Sequence, residues 1–495
     1  ESMQKTKTLP VRELLMPLPK HIEEKDGVFR LHHGTTISYD PHFLEVAKLA
    51  TEQLLCNLGG EDILFKFQEG LKEETYHLKV SKNQIVIKAG TKSGAFCALQ
   101  TLRQIALAND NLIPCCLIQD EPLYSWRGFM LDCSRHFFSP TFIKKLIDAA
   151  ALHHLNRFHW HLTDDQGWRL PITGYEKLIT VGSFRTELNY TETTRYGGSY
   201  TEEEIRDIQE YAHTRCMLVI PEIETPGHAS ALLASYPNLG CTKGPYEVQD
   251  RWGIFEEVMC AGNDEVLTFL QTAIHQISTL FTDPYIHIGG DECPHTAWQR
   301  CPACQKRMKD EGLDSAKQLQ SWMTSKICKM VEAEGKRPIG WDEVLEGTEK
   351  LSLPSSLIVM SWRGEQGGIE ASNLGHEVIM SPNTAGCYFD YKHLDSFDEP
   401  GNIGVTTLEK TAEFSPVSPS MDDQAKEKIL GGQGNLWTEL VTSARSAEYL
   451  LFPRLSLLSE RLWNPQDLES FETRRTSLEK KLTLLDIQHY KGKSH

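Results

Sequence analysis

Residues 285–292 read Tyr285-Ile286-His287-Ile288-Gly289-Gly290-Asp291-Glu292, an apolar run of strand length that ends in two adjacent carboxylates. Comparable apolar runs recur along the chain, and helical stretches such as residues 140–154 and 201–213 separate them. Continuous apolar strands are typical of parallel sheets, because both faces of such a sheet are buried. The eight runs cover residues 127–134, 157–163, 216–224, 285–292, 337–344, 356–362, 376–382 and 429–439.

Eight strand–helix units predict an α/β protein built on a (β/α)8 TIM barrel. A doubly wound open sheet is the structural alternative, and it would carry a glycine-rich phosphate turn after its first strand. The first predicted strand instead leads into Asp132-Cys133-Ser134-Arg135, which contains no glycine. The barrel is therefore the favoured fold.

The first 120 residues follow a different pattern. Residues 75–80 and 84–88 alternate apolar and polar side chains, which is the period of half-exposed strands. A helical segment at 93–108 follows them. We therefore predict a small α+β domain at residues 1–120, with the boundary near Pro122, and a barrel with a C-terminal helical segment at residues 121–495.

The composition excludes some classes of partner. The chain has 495 residues and a net charge of -17, which repels polyanions and argues against nucleic acid or anionic membranes as partners. No apolar run approaches the length of about 18 residues that a transmembrane helix needs. Residues 1–5 lack the apolar stretch of a signal peptide, so they give no sign of export.

Thirteen cysteines in a chain of this length do not form a disulfide framework. Cys301 and Cys304 have the C-x-x-C spacing of a zinc ligand pair, but a zinc site needs a second pair. Cys293 is the single further cysteine nearby in sequence. A free thiol pair or a local disulfide is therefore the simpler interpretation, and the sequence implies neither a metal nor a cofactor.

The residues at the predicted strand ends indicate the ligand. In TIM barrels the C-terminal ends of the strands carry the chemistry. These ends hold carboxylates, histidines and aromatic rings. Aromatic faces stack on the C–H faces of sugars and carboxylates accept hydrogen bonds from sugar hydroxyls, so a carbohydrate is the predicted ligand class. Glycoside cleavage also needs a carboxylic acid, which Asp291 and Glu292 supply.

Four stretches resemble glycoside hydrolase family 20, the β-N-acetylhexosaminidases. They are residues 126–137, 159–168, 221–228 and 287–292, and the resemblance extends over nearly the whole chain, the small N-terminal domain included. The resemblance implies an exo-acting, retaining enzyme that removes terminal, non-reducing, β-linked GlcNAc or GalNAc. Members of this family use the substrate's own 2-acetamido group as the nucleophile and pass through an oxazolinium intermediate.

The resemblance also implies roles for individual residues. Glu292 matches the general acid and base, Asp291 the residue that orients the acetamido nitrogen, and Tyr388 the hydroxyl that holds the acetamido oxygen. Asp164 and His228 match the pair that tunes Glu292. The implied ligands of the sugar hydroxyls are Arg127, Asp390 and Glu439, and the implied walls are Trp341, Trp362 and Trp437.

Two further positions, Asp165 and Glu224, lie within the stretches that carry the resemblance. Asp165 is expected to be part of the scaffold. Glu224 stands where the family commonly has aspartate, and we expect the extra methylene to cause a local adjustment without loss of activity.

Other functions remain open. The pair His159 and His161 resembles the H-x-H ligands of metal-dependent hydrolases, which would need more metal ligands on later strands. A glycan-binding protein on an inactive barrel is a second alternative. A family member that releases a disaccharide or acts on 6-sulfated sugars is a third. The sequence does not separate GlcNAc from GalNAc.

The cellular context follows from the expected substrate. A glycan-degrading enzyme is expected to be secreted or periplasmic, and a homodimer is one assembly that the resemblance allows. The expected partner is a glycan or glycoconjugate that ends in an N-acetylhexosamine.

Overall fold

The structure, a computed structural model, describes residues 8–189 and 192–492, so the sequence expectation for residues 1–5 lies outside the described residues. The N-terminal part is one seven-stranded sheet with the order β1-β7-β5-β6-β4-β2-β3. Its strands are β1 His21–Arg30, β2 Thr36–Tyr39, β3 Asn57–Leu58, β4 Ile63–Phe67, β5 Tyr76–Val80, β6 Ile85–Ala89 and β7 Leu112–Asp120. Two helices, α1 Leu44–Gln53 and α2 Lys92–Ala108, pack against this sheet.

The alternation expected of half-exposed strands is present in β5 and β6. Tyr76, Leu78 and Val80 are buried on β5, while His77 and Lys79 are more accessible. The buried face meets α2, which begins at an N-cap where the Thr91 side chain accepts a hydrogen bond from the Gly94 amide. Polar–apolar alternation therefore places this sheet under one helical layer.

The second part is a closed barrel of parallel strands in the order β8-β9-β14-β15-β16-β17-β18-β21. The remaining strands of the chain are β8 Trp126–Asp132, β9 Arg157–His161, β10 Thr163–Asp164, β11 Gly167–Trp168, β12 Phe184–Asn189, β13 Glu192–Gly197, β14 Leu218–Thr225, β15 Tyr285–Gly289, β16 Arg337–Trp341, β17 Ile358–Ser361, β18 Val378–Met380, β19 Tyr391–Lys392, β20 Asn402–Val405 and β21 Ile429–Leu436. Each of the eight predicted runs coincides with one barrel strand. The predicted TIM barrel with a small N-terminal domain is confirmed.

Helices cover the outside of the barrel. They are α3 Pro140–Leu152, α4 Lys177–Thr180, α5 Glu202–Thr214, α6 Ser230–Ser235, α7 Asp264–Leu280, α8 Thr296–Gln299, α9 Pro302–Asp310, α10 Ala316–Ala333, α11 Gln366–Asn373, α12 Leu408–Ala412, α13 Asp423–Glu427, α14 Ala444–Leu451, α15 Arg454–Trp463 and α16 Leu468–Leu484. The start of α5 is fixed by a capping box between Thr201 and Glu204. Among the described residues, no helix combines the length and the apolar character that crossing a bilayer requires.

Seven of the eight barrel strands end earlier than their apolar runs predicted, and β14 ends one residue later. β15 ends at Gly289, three residues before Glu292, and β8 ends at Asp132. The reason at β15 is backbone geometry, because Gly289 and Gly290 have φ values of 73° and 97° and turn the chain out of the sheet. The two carboxylates therefore lie on a turn above the barrel.

Arg127 lies at the N-terminal end of β8, and the prediction that it binds the sugar was wrong. Its side chain is 1% exposed and donates to the Glu74 carboxylate in the N-terminal domain, with one N–O distance of 3.0 Å. Its Nε donates to the His154 carbonyl at 2.7 Å. The C-terminal end of a seven-residue strand is roughly 20 Å away, so Arg127 joins the two domains and does not reach the barrel mouth.

Removing the partner of Arg127 should destabilise the protein without touching the barrel mouth. Glu74→Ala leaves a buried guanidinium without its counter-ion, and we expect the free energy of unfolding to fall by about 3 kcal/mol. Urea denaturation measures this change. The matched control is Glu121→Ala, which breaks an exposed pair with Lys20 and should cost less than about 1 kcal/mol. Equal losses in both variants would contradict the structural role assigned to Arg127.

Candidate active site

A pocket of about 200 Å³ opens where the barrel strands end. It brings together eight of the residues predicted from the sequence, which are Asp291, Glu292, Trp341, Trp362, Tyr388, Asp390, Trp437 and Glu439. Three further residues, Arg135, Tyr391 and Asn402, complete the lining. Ligand pockets for drug-sized molecules span about 300–1,000 Å³, so this one is the size of a single small ring system.

The turn after β15 places both carboxylates in the pocket. Glu292 has a φ of 47°, a left-handed conformation that is costly for a residue with a side chain. Its amide donates to Glu343 Oε2 at 3.0 Å, which helps to hold this conformation. A Cβ on Gly289 would lie 2.4 Å from Glu224 Oε2, so only glycine fits there. Backbone strain of this kind clusters at functional sites.

His228 connects the two carboxylates to the barrel beneath them. Its Nε2 lies 3.2 Å from Glu292 Oε1 and 3.4 Å from Asp291 Oδ2, and its Nδ1 lies 3.2 Å from Asp164 Oδ1. Burial by itself lowers the pKa of His228, but the charges of Asp164 and Asp291 outweigh it and raise this pKa well above its usual value. His228 is therefore an imidazolium that donates towards the carboxylates.

Asp165 does more than the scaffold role expected of it. Its Oδ2 lies 2.8 Å from His228 Nδ1, and its Oδ1 accepts from the hydroxyl and the amide of Ser230 at 2.7 and 3.1 Å. Asp165 thus fixes both the ring of His228 and the start of α6.

Arg135 is the guanidinium of the pocket, and the sequence analysis missed it. It follows the end of β8, where the Asp132 carboxylate accepts from the Arg135 amide at 3.1 Å and from Nη1 at 3.0 Å. Nη1 also lies 3.3 Å from Glu439 Oε1, and Nε lies 3.3 Å from Asp164 Oδ1. Burial lowers the pKa of Arg135, but Asp164 and Glu439 outweigh it and raise it well above its usual value.

A sequence signal for Arg135 did exist. It lies three residues past the end of a barrel strand and inside the motif at 126–137, whereas Arg127 begins that strand. The rule that chemistry gathers at C-terminal strand ends would have selected Arg135. No such signal pointed to Tyr391 and Asn402, which lie on the short strands β19 and β20 above the barrel.

Four of the five aromatic rings that line the pocket form two pairs. Trp362 and Tyr388 are nearly parallel, with ring centroids 6.3 Å apart and planes 12° apart. Trp341 and Trp437 lie 5.8 Å apart at a tilt. The indole N–H of Trp362 donates to Glu343 Oε1 at 2.7 Å, and that of Trp341 donates to Glu222 Oε2 at 3.0 Å. The walls are therefore fixed in place before any ligand binds.

Two residues that line the pocket each have a buried carboxylate oxygen without a donor. Asp291 Oδ1 and Asp390 Oδ1 accept no hydrogen bond from any residue that the structure describes. Burial, followed by the nearby charge of Glu439, raises the pKa of Asp390 well above its usual value. Its other oxygen accepts from Asn402 Nδ2 at 3.3 Å. Because buried polar atoms are normally hydrogen-bonded, these oxygens suit a ligand that carries N–H and O–H donors.

The histidines of the H-x-H pair are committed to hydrogen bonds below the pocket. His159 lies 2.6 Å from Glu222 Oε1 through Nε2 and 2.8 Å from Gln433 Nε2 through Nδ1. His161 lies between Glu222 and Asp164 at 2.9 and 2.7 Å. Burial lowers the pKa of His161, but Glu222 and Asp164 outweigh it and raise this pKa to about 10. Burial lowers the pKa of His159, so the two histidines of the pair differ in charge while both contact Glu222.

Two other carboxyls near Asp291 are held neutral. Burial, then the charges of Asp291 and Asp342, raises the pKa of Glu343 to about 8. Burial, then Asp291 and Glu222, raises the pKa of Glu224 well above its usual value. Keeping these neighbours neutral limits the negative charge around Asp291.

The chain matches two family models over most of its length. Residues 124–466 match "Glycosyl hydrolase family 20, catalytic domain", and residues 14–121 match "Glycosyl hydrolase family 20, domain 2". A β-hexosaminidase from Porphyromonas gingivalis is 40% identical over 94% of this chain and 63% of that relative. A β-hexosaminidase from Vibrio furnissii is 35% identical over 90% of this chain and 76% of the relative. The chain thus spans less than two thirds of the Porphyromonas protein.

Solved structures show the same architecture. An exo β-N-acetylglucosaminidase from Vibrio harveyi, in complex with N-acetylglucosamine, superimposes with a TM-score of 0.89 at 31% identity, covering 98% of this chain and 79% of that chain. A mutant Streptomyces plicatus β-hexosaminidase in complex with GlcNAc gives a TM-score of 0.86 at 26% identity, covering 99% and 98%.

The raised pKa of Glu343 predicts a pH dependence of stability. The folded protein keeps this proton up to about pH 8, whereas an ordinary glutamate loses it near 4.5. The stabilising effect of the proton is fully present below about 4.5 and is lost as the pH rises to 8. The side chain of Glu343→Gln cannot ionise. Between pH 5 and pH 8 the free energy of unfolding of this variant should therefore fall less than that of the wild type, by about 2 kcal/mol or more.

Urea denaturation at the two pH values tests this expectation. The control is Glu346→Gln, a more exposed carboxylate three residues along that pairs with Arg363. It should keep the pH dependence of the wild type. Identical pH dependence in wild type and Glu343→Gln would show that Glu343 is ionised at neutral pH.

Proposed function

Because the chain belongs to glycosyl hydrolase family 20, we propose that it is an exo-acting, retaining β-N-acetylhexosaminidase that hydrolyses terminal, non-reducing, β-linked GlcNAc or GalNAc. The observation that carries this proposal is the unpaired Asp291 Oδ1 beside Glu292 and Tyr388, inside an aromatic pocket of one-ring size. An acetamido N–H is the kind of donor that this oxygen needs.

The reaction would begin with the substrate's own acetamido group. Asp291 accepts the acetamido N–H, and the Tyr388 hydroxyl donates to the acetamido oxygen and aims it at the anomeric carbon. Burial raises the pKa of Tyr388 well above its usual value, which keeps this hydroxyl a donor. Alignment of a nucleophile in this way can remove several kcal/mol from a barrier, on the order of 7–11 kcal/mol in the best intramolecular cases.

Glu292 would provide the proton transfers. It protonates the leaving oxygen as the acetamido oxygen attacks and the glycosidic bond breaks, which gives an oxazolinium intermediate. It then takes a proton from the water that opens the intermediate, and the β-configuration is retained. His228 donates to the Glu292 carboxylate at 3.2 Å and positions it for both steps.

The distribution of exposure supports exo action. Arg135 and Asp390 are 7% and 5% exposed, whereas the side chain of Glu292 is 33% exposed. The hydroxyl-binding groups therefore lie deep in the pocket and the proton donor lies near its opening. A terminal sugar enters with its non-reducing end first, and the remainder of the glycan stays outside.

Charge argues against the sulfated-sugar alternative. Asp390 and Glu439 line the pocket beside a single guanidinium, Arg135, which already contacts three carboxylates. A sulfate needs unpaired cationic donors, and the guanidinium of Arg135 is already engaged by carboxylates. An unmodified sugar with free hydroxyls fits these acceptors better.

Export from the cytoplasm, expected from the substrate class, and a homodimer both stay predictions.

Replacing either carboxylate of the turn should abolish most of the activity. Hydrolysis of 4-nitrophenyl β-GlcNAc and β-GalNAc should fall by about 100-fold or more in kcat for Asp291→Ala and Glu292→Gln. Glu292→Gln should slow substrates with poor leaving groups most, because these depend on protonation. Glu311→Gln, an exposed glutamate on the segment after α9, is the control and should keep wild-type rates. Wild-type activity in Asp291→Ala would contradict the proposed mechanism.

The acetamido group itself is the second test. A substrate that lacks it, 4-nitrophenyl β-glucoside, should be nearly inert because it brings no nucleophile. A thiazoline analogue of the oxazolinium intermediate should bind far more tightly than substrate, by about 100-fold or more. The measurements are kcat/KM and an inhibition constant. Efficient turnover of the glucoside would contradict substrate-assisted catalysis.

A further inference from the structure

Four cysteines that are far apart in sequence meet outside the pocket. Cys241 and Cys260 lie in the segment between β14 and α7, and Cys301 and Cys304 lie at the start of α9. All four sulfur atoms lie within 4.8 Å of one another. The sequence offered only Cys293 near the C-x-x-C pair and favoured a free thiol pair or a local disulfide, whereas the structure brings a second pair of cysteines from the preceding loop.

The sulfur–sulfur distances match one geometry. Cys260 Sγ lies 3.7 Å from Cys301 Sγ and 3.6 Å from Cys304 Sγ, and Cys241 Sγ lies 3.8 Å from Cys304 Sγ. A tetrahedral Zn²⁺ site with Zn–S bonds of about 2.3 Å has sulfur atoms about 3.8 Å apart. A disulfide requires about 2.05 Å instead. We propose that these four cysteines bind one structural Zn²⁺ ion as thiolates.

The local backbone is arranged for such a site. Cys301 is the N-cap of α9 and Cys304 lies in its first turn, where the positive end of the helix dipole stabilises thiolates. Gly240 and Met259 form an antiparallel bridge, and the Cys260 amide donates to the Leu239 carbonyl at 2.9 Å, so the two loop segments that carry Cys241 and Cys260 are joined by backbone contacts. Both pairs are therefore held by backbone hydrogen bonds that do not depend on the sulfur atoms.

One glycine allows the two pairs to meet. A Cβ on Gly262 would lie 2.2 Å from the carbonyl carbon of Ala303, so only glycine permits this contact between the loop and the start of α9. Cys241 and Cys301 also line a surface groove, which gives an ion a path to the cluster. Cys260, Cys301 and Cys304 are buried and Cys241 is half-buried.

The site would connect the two loops that carry the pocket's charged residues. The Met259 amide donates to the Pro226 carbonyl at 2.9 Å, two residues before His228. The Trp298 indole donates to the Met259 carbonyl at 2.9 Å, from α8 after the Asp291–Glu292 turn. A closed four-thiolate zinc site is structural, because it leaves no coordination position for substrate. The ion would act as a brace, and the proposal does not depend on the enzymatic activity.

Metal analysis of the purified full-length chain tests the proposal. We expect one zinc per chain in wild type after dialysis, and less than about one tenth in Cys260→Ala and Cys304→Ala. The matched controls are Cys293→Ala and Cys328→Ala, which remove cysteines outside the cluster and should keep one zinc per chain. Zinc retained at full stoichiometry in Cys260→Ala, or stoichiometric iron in wild type, would overturn the assignment.

A measurement on the wild type keeps the test valid if a variant fails to fold. Titration with an organomercurial should release zinc to a metal-indicator dye as the thiolates are capped. Thiol counting on protein denatured in chelator without reductant should find all 13 cysteines free. Four fewer thiols and no zinc would show two disulfides and overturn the proposal. All thiols free with no zinc released would overturn it as well.

Discussion

A network of buried side chains with alternating charge lies beneath the pocket and holds the active-site residues in place. It runs from Glu222 through His161 to Asp164, and from Asp164 to both His228 and Arg135. Moving one such ion from water into a protein costs several kcal/mol, and only close partners of opposite sign offset that cost. The charge of each member is therefore stabilised by neighbours of opposite sign. For this reason the pKa values of His161 and His228 are raised despite burial.

The same network of buried charges also holds the strained backbone turns above it. His228 and Glu292 both have left-handed backbones, at φ values of 48° and 47°. Such conformations cost roughly 1–3 kcal/mol each and persist where the surroundings determine them. Here His228 is fixed by Asp164 and Asp165, and Glu292 by Glu343 and by His228 itself. These polar contacts thus hold His228 and Glu292 in backbone conformations that neither residue would favour by itself.

Two arginines at opposite ends of one strand illustrate how position in the barrel decides what a side chain contacts. Arg127 and Arg135 lie eight residues apart, both are buried and both are paired with carboxylates. Arg127, at the start of β8, meets Glu74 of the N-terminal domain. Arg135, past the end of β8, meets Glu439 and Asp164 at the pocket. The same chemical group is an interdomain link at one end of the barrel and lines the pocket at the other.

The sequence alone determined the barrel. Parallel strands that are buried on both faces must be apolar throughout, and such continuous apolar runs can be recognised directly in the sequence. It also determined most of the pocket, since Asp291, Trp341 and Trp437 lie at or just past strand ends and the resemblance to the family indicated Tyr388. Only the tertiary structure joined Arg127 to Glu74 and paired Cys241 and Cys260 with Cys301 and Cys304. Such contacts depend on which loops meet across the barrel, and long-range proximity leaves no periodic signal along the chain.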